Sequence, residues 1–149
     1  EMAYHYVESG LDNIYLVDGY TIHKTAYGEG VSIVDAAGLH KAIGKWIVRL
    51  PKPINGAELR FIRLETDLTQ RNLAAILGAT EQTLRMWEKH RTKALPGTAD
   101  RLLRALYTEY VGGDGSIRSM LDRFAQLDRI EPPKAYGRPT RNGWQLSLQ

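Results

Sequence analysis

The sequence predicts an α+β chain, with a small antiparallel β-sheet and one helix at the N-terminus followed by an all-α domain. Three observations carry this. Residues 13–26, NIYLVDGYTIHKTA, set an Asp-Gly dipeptide between β-branched and aromatic runs, and such a dipeptide favours the positive φ angles of a two-residue hairpin turn. Leu39, Ile43, Trp46, Ile47 and Leu50 recur at helical spacing. In 68–90, LTQRNLAAILGATEQTLRMWEKH, two short apolar-periodic segments hinge at Gly78.

Taken in order, the elements begin with a hairpin tipped by Asp18 and Gly19. A turn at Gly28 and Gly30 follows, then a strand over Val31 to Val34 and a helix capped by Asp35. These make residues 2–50 a β-rich N-terminal module suited to dimerisation or partner binding. The stretch 51–56 holds two prolines and a glycine and reads as a linker. Residues 57–111 are predicted to hold a helix over about 57–66, a second capped by Thr69 and running to Leu77, a third over 81–89 capped by Thr80, and a fourth opened by Pro96 and ended by Gly112, Gly113 and Gly115. Residues 112–149 follow as a C-terminal helix and basic tail. Ser116 is expected to cap that helix, which carries Ile117, Met120, Leu121, Phe124 and Leu127 on one side and stops at Pro132 and Pro133. The tail KAYGRPTRNGWQLSLQ reads as a loop, apart from the strand-like alternation of Trp144, Leu146 and Leu148.

Composition narrows the function classes. With 149 residues, the chain holds one large domain or two small ones, and small cores favour association. No apolar run approaches the ~20 residues of a membrane helix, and the N-terminus lacks a basic segment followed by an apolar one, so a cytoplasmic, nucleoid-associated protein is expected. Cysteine is absent, and the four histidines, His5, His23, His40 and His90, lack zinc-ligand spacing, so neither a metal nor a cofactor is expected. No paired carboxylates or nucleophile with its base stand out; Asp35 reads as a helix cap and His40 as a helix-surface residue, so an enzyme is not expected.

The net charge of +3 permits nucleic-acid binding, and its distribution favours it. Between 81 and 104, Arg85, Lys89, Arg91, Lys93, Arg101 and Arg104 face only Glu81, Glu88 and Asp100. Two helices of about eight residues around a glycine turn have the geometry of a helix-turn-helix, whose second helix offers its first residues to base edges. Ala74 is small where the helices approach, and Leu73, Leu77 and Leu84 hold the crossing. Gln suits adenine and Arg suits guanine, each bidentate pair contributing roughly 1–3 kcal/mol of discrimination. Glu81 is repelled by phosphate, so it either accepts from a cytosine amino group or orients Arg85 one turn along. Trp46 and Trp87 fall on apolar stripes and are expected in the core. Arg101 and Arg104 are compatible with a solvated helix face.

As a combined pattern, LTQRNLAAILGATEQTLRMWEK resembles the lambda-repressor-like, Xre-type helix-turn-helix family, over about residues 57–107. The resemblance implies that Gln70 touches a backbone phosphate and braces the recognition helix, and that Glu81, Gln82, Thr83 and Arg85 read or flank bases. It also implies that Arg63 and Glu88 form a structural salt bridge and that Arg91 and Lys93 meet phosphate. Thr80 and Lys89, at the ends of the recognition helix, complete the expected DNA-binding set. Met86 stands where several relatives carry a polar reader.

The resemblance implies a sequence-specific transcriptional regulator, a dimeric autorepressor that reads an inverted repeat in double-stranded operator DNA through helix 81–89. A β-rich module joined by a short linker to such a domain is also similar to MqsA-type antitoxins, although this sequence lacks their zinc-binding cysteine pairs. The alternative is therefore an antitoxin or phage anti-defence accessory protein whose main role is to bind a toxin or other protein partner. Arg138 and Arg141 are candidates for a minor-groove arm or for a solvated tail, and Trp144 to Leu148 for a strand added to a sheet edge.

Overall fold

The computed structural model describes residues 3–116, 119, 122–123 and 134–148. The architecture is α+β, as the sequence predicts. Strands β1 (Tyr4–His5) and β2 (Tyr15–Leu16) pair antiparallel, and β3 (Tyr20–Thr25) and β4 (Gly28–Ile33), six residues each, form a hairpin with Tyr20 opposite Ile33 and Ile22 opposite Val31. Tyr4 stacks on Tyr20 at 5.2 Å and links the two pairs.

The hairpin tip is Ala26–Tyr27, not Asp18–Gly19. Thr25 closes it: its hydroxyl donates to the Gly28 carbonyl at 2.9 Å and accepts the Tyr27 amide at 3.2 Å. Asp18–Gly19 instead makes the corner between β2 and β3, where Gly19 has a φ of 80° and its amide donates to the Asp18 carboxylate. Any corner needing positive φ suits this dipeptide, and β2 takes its partner upstream in β1. Gly28 and Gly30, expected in a turn, lie in β4, which ends at Ile33.

Helix α1 (Ala36–Arg49) starts at Asp35, whose side chain accepts the Gly38 amide. It buries Ile43, Gly44 and Ile47. Trp46, expected in the core, is 42% exposed. It sits about 100° around the helix from Ile47, where it borders a surface cleft with Ile14 and Tyr15. His40, expected on the surface, is half-buried and joins three elements: the Tyr6 hydroxyl meets its Nε2 at 2.7 Å, and Glu65 Oε1 meets its Nδ1 at 3.1 Å. Burial, with Glu8 and Glu65 adding, pushes the Tyr6 phenol up, so it stays protonated.

The 51–56 stretch connects the halves as a packed strap. Ile54 is fully buried; its amide donates to Asp100 Oδ2 at 2.8 Å and its carbonyl accepts the Leu95 amide at 2.9 Å. Asn55 then opens α2 (Gly56–Glu65) with a capping box completed by Glu58. Helices α3 (Gln70–Leu77), α4 (Glu81–Lys89) and α5 (Gly97–Gly112) follow at the predicted places. One core runs from Tyr6, Leu11 and Leu16 through Ile43 and Ile47 to Leu59, Ile62, Leu73, Leu84, Leu103 and Leu106.

Arg104 is no solvated residue. Its guanidinium donates to the carbonyls of Val48 (2.9 Å), Leu50 (3.0 Å) and Lys52 (2.6 Å), satisfying the carboxyl end of α1, while its Nε donates to Asp100 at 2.6 Å. Asp100 is buried, which alone would raise its pKa. The Arg104 hydrogen bond, the Ile54 amide and the charges of Arg104 and Arg101 outweigh that and hold the carboxyl below its ordinary range.

Beyond α5, the Ser116 amide donates to Asp114 Oδ1 at 3.0 Å and the Ser119 amide to the Gly115 carbonyl at 2.9 Å, so the helical turn starts at Gly115, one residue before the expected cap Ser116. The expected helix from Ser116 to Leu127 lies largely outside the described residues, with Ser116, Ser119, Asp122 and Arg123 helical among those described. The tail is not a loop: β5 (Ala135–Thr140) and β6 (Gly143–Leu148) form an antiparallel hairpin across Arg141–Asn142.

Two outcomes follow from this packing. A Cβ on Gly44 would lie 2.2 Å from the Tyr107 hydroxyl, so Gly44→Ala is expected to destabilise by about 1–3 kcal/mol in urea denaturation, by forcing α1 off α5. For Asp100 the folded pKa lies below the unfolded one, so its contribution is complete at neutral pH and is lost as pH falls from the ordinary aspartate range through the folded value. Asp100→Asn is therefore expected to flatten the acid limb of a stability–pH profile, and Arg104→Ala to cost about 3–5 kcal/mol at pH 7 by stranding a buried carboxylate.

Candidate nucleic-acid interface

Helices α3 and α4 meet through a turn whose geometry is local. Gly78 adopts a φ of 72°; its amide bonds the Ala75 carbonyl, and the Ala79 amide bonds the Ala74 carbonyl at 2.9 Å. This is the paired closure of a Schellman motif, for which glycine is the favoured residue. Thr69 caps α3 by accepting the Asn72 amide, and Thr80 caps α4 by accepting the Thr83 amide at 3.1 Å. The chain thus leaves one helix and enters the next with its end groups satisfied within a few residues.

Leu84 is fully buried and, with Glu88 and the half-buried Trp87, fixes which side of α4 faces inward. Glu81, Gln82, Thr83, Arg85, Met86 and Lys89 remain exposed. The Gln82 side chain makes no hydrogen bond among the described residues. Arg85 is held by Glu81 at 3.2 Å, which realises one of the two arrangements expected for that carboxylate. Thr83 is tied to Thr80, whose hydroxyl donates to its Oγ1 at 2.9 Å. The exposed amino-terminal half of α4 therefore presents an unengaged amide, an oriented guanidinium and two hydroxyls.

Behind this face lies a buried clamp. Arg63 donates from Nε to Glu88 Oε2 at 2.6 Å and from Nη2 to Oε1 at 3.0 Å, with side-chain exposures of 11% and 4%. Arg63 Nη1 also donates to the Leu68 carbonyl at 3.1 Å, and Gln70 Nε2 donates to Glu88 Oε1 at 3.1 Å. The expected salt bridge is in place, and Gln70 braces it. One N–H of the Gln70 amide is committed to Glu88, which leaves the other for an outside acceptor.

Arg91 is exposed but already engaged within the chain. Its Nη2 donates to the Gly10 carbonyl at 2.8 Å and to Asp12 Oδ1 at 3.1 Å, so it joins the N-terminal module to the end of α4. Lys89 and Lys93 are exposed and have no ion pair among the described residues. Lys93 borders a cavity of about 480 Å³ with Met86, Trp87, His90, Leu95 and Pro96.

Sequence reasoning missed the Arg91–Asp12 contact, which spans 79 residues and has no local signal. It also missed Asp100–Arg104, although an Asp four residues before an Arg on a helix is a readable pair. Comparison with family models, with curated proteins and with solved structures finds no match for this chain.

The clamp makes a sharp mutational expectation. Arg63→Ala or Glu88→Ala leaves a buried charge without its partner and is expected to cost about 3–5 kcal/mol by chemical denaturation. Replacing the pair together by Met and Leu is expected to recover most of that loss.

Proposed function

We propose that this chain is a sequence-specific DNA-binding transcriptional regulator that acts as a dimer in the cytoplasm, on the nucleoid, and represses its own gene by reading an inverted repeat through α4. The single observation that carries the reading is the α3–turn–α4 unit: two eight- to nine-residue helices around a left-handed glycine, with Gln82 and Arg85 exposed over the buried Leu84. The exposed residues have the donor and acceptor types that match base edges, and the clamp supplies the rigidity that base readout needs. A single such unit reads one half-site, so two copies spaced by about one helical turn of DNA, ~34 Å, are required.

A specific observation favours a second role for the N-terminal module. Tyr15, Val17, Ile22, Tyr27 and Val34 are all exposed, and Tyr27 at the hairpin tip is wholly so. Large apolar side chains gathered on a small module suit a protein partner, which fits the reading of an antitoxin or accessory protein that covers another protein while its helices hold DNA.

The test is fluorescence anisotropy with a labelled duplex from upstream of the chain's own gene and a scrambled control. Preference for the upstream duplex by ~10³ or more is expected. Gln82→Ala and Arg85→Ala are each expected to lose about 1–3 kcal/mol of that preference, whereas Lys89→Ala weakens both duplexes alike. Equal weakening of both duplexes by all three variants would remove α4 as the reader.

A further inference from the structure

The chain carries twenty basic and seventeen acidic residues, and its excess of three is concentrated at one place. Residues 1–133 hold seventeen of each; the surplus is Lys134, Arg138 and Arg141, in a stretch from 134 to 149 with no Asp or Glu. The structure folds this stretch into the β5–β6 hairpin, whose described side chains are all exposed. None of the three cations has an ion pair among the described residues.

The register sorts the side chains. Arg138 stands opposite Gln145 and Tyr136 opposite Ser147, so these four share one face, while Pro139, Trp144 and Leu146 lie on the other. Lys134 and Arg141 flank the polar face, one at the open end and one at the tip. A two-stranded antiparallel ribbon has the width that the DNA major groove admits, and Arg beside Gln pairs the side chains that make two hydrogen bonds to guanine and to adenine.

Charge decides the occupant. In α3, α4 and the loop after it, Arg85 is neutralised by Glu81 and Arg91 by Asp12, which leaves Arg71, Lys89 and Lys93 as the unpaired cations there among the described residues. Phosphate neutralisation supplies much of the affinity of a DNA-binding protein, so a reader with so few free cations needs them from another element. We propose that the β5–β6 hairpin is a second DNA-contacting element, with Tyr136, Arg138, Gln145 and Ser147 facing the major groove and Lys134 and Arg141 on the flanking phosphates. This rests on the reading of the chain as a duplex-binding protein.

The full chain, a Lys134→Ala/Arg141→Ala variant and an Arg138→Ala/Gln145→Ala variant are titrated by anisotropy onto the upstream duplex and the scrambled control over a range of salt. The first variant is expected to flatten the slope of log K against log salt by about 1.8, at ~0.9 for each phosphate no longer neutralised. The second is expected to lower the preference between duplexes about tenfold or more. Because these side chains are exposed, thermal melts are expected to match wild type, and Lys134→Arg/Arg141→Lys is expected to restore the slope.

If wild type binds the duplex and neither variant changes slope or preference, the hairpin proposal is overturned while the α4 reading stands. The hairpin proposal is overturned equally if the first variant loses binding to anionic phospholipid vesicles but keeps its duplex slope. If wild type shows no binding to either duplex, both readings fall.

Discussion

The relative placement of α2, α3 and α4 depends on one buried carboxylate. Glu88 is almost wholly withdrawn from solvent, so its charge is tolerable only because Arg63 meets both of its oxygens and Gln70 adds a third donor. The donors come from two different elements: Arg63 from the last turn of α2 and Gln70 from the first residue of α3. A small rotation of any of these helices would strand a charge. Close apolar packing around Leu59, Leu73 and Leu84 supplies cohesion, and a bidentate pair with a third donor adds directional contacts that fix orientation. The exposed edge of α4 inherits its aim from this buried contact.

A second set of polar contacts makes the N-terminal module part of the same body. His40 bridges Tyr6 and Glu65, Arg91 reaches Gly10 and Asp12, and Arg104 holds the end of α1 and the strap. Close backbone approach adds to them: a Cβ on Gly56 would fall 2.0 Å from the Trp87 carbonyl oxygen, so the start of α2 lies directly on the end of α4. Anything that shifts the module therefore bears on the helix-turn-helix through several independent contacts.

Most of the helical half is legible in the sequence because its signals are local. Thr69, Gly78 and Thr80 act on groups within a few residues, and the boundaries of α3 and α4 fall where those residues place them. The N-terminal half is less legible because strand pairing is a contest between distant segments. Asp18–Gly19 announces a corner, but β3 pairs onward with β4 and β2 pairs back to β1. The tail reads as a loop although Asn142–Gly143 carries the same kind of signal as Asp18–Gly19, and Gly143 has a φ of 106°. Of the candidate site, the exposed row on α4 and its Arg63–Glu88 support can be read from spacing and resemblance. The engagement of Arg91 cannot, because its partners are set by tertiary packing alone.

The Arg104 cap has a consequence for the order in which the chain completes itself. The carbonyls of Val48 and Leu50 wait for a guanidinium that lies 56 and 54 residues further on, and the amide of Ile54 waits for Asp100, 46 residues away. During synthesis the N-terminal half leaves the ribosome well before α5 exists, with the end of its helix unfinished. Loops of that length close slowly relative to local turns, so α1 and the strap gain their final polar contacts only when α5 docks. The end of α1 and the strap are thus completed by residues made late, and a chain ending before residue 100 leaves the carbonyls of Val48 and Leu50 and the amide of Ile54 without the partners that the finished protein gives them.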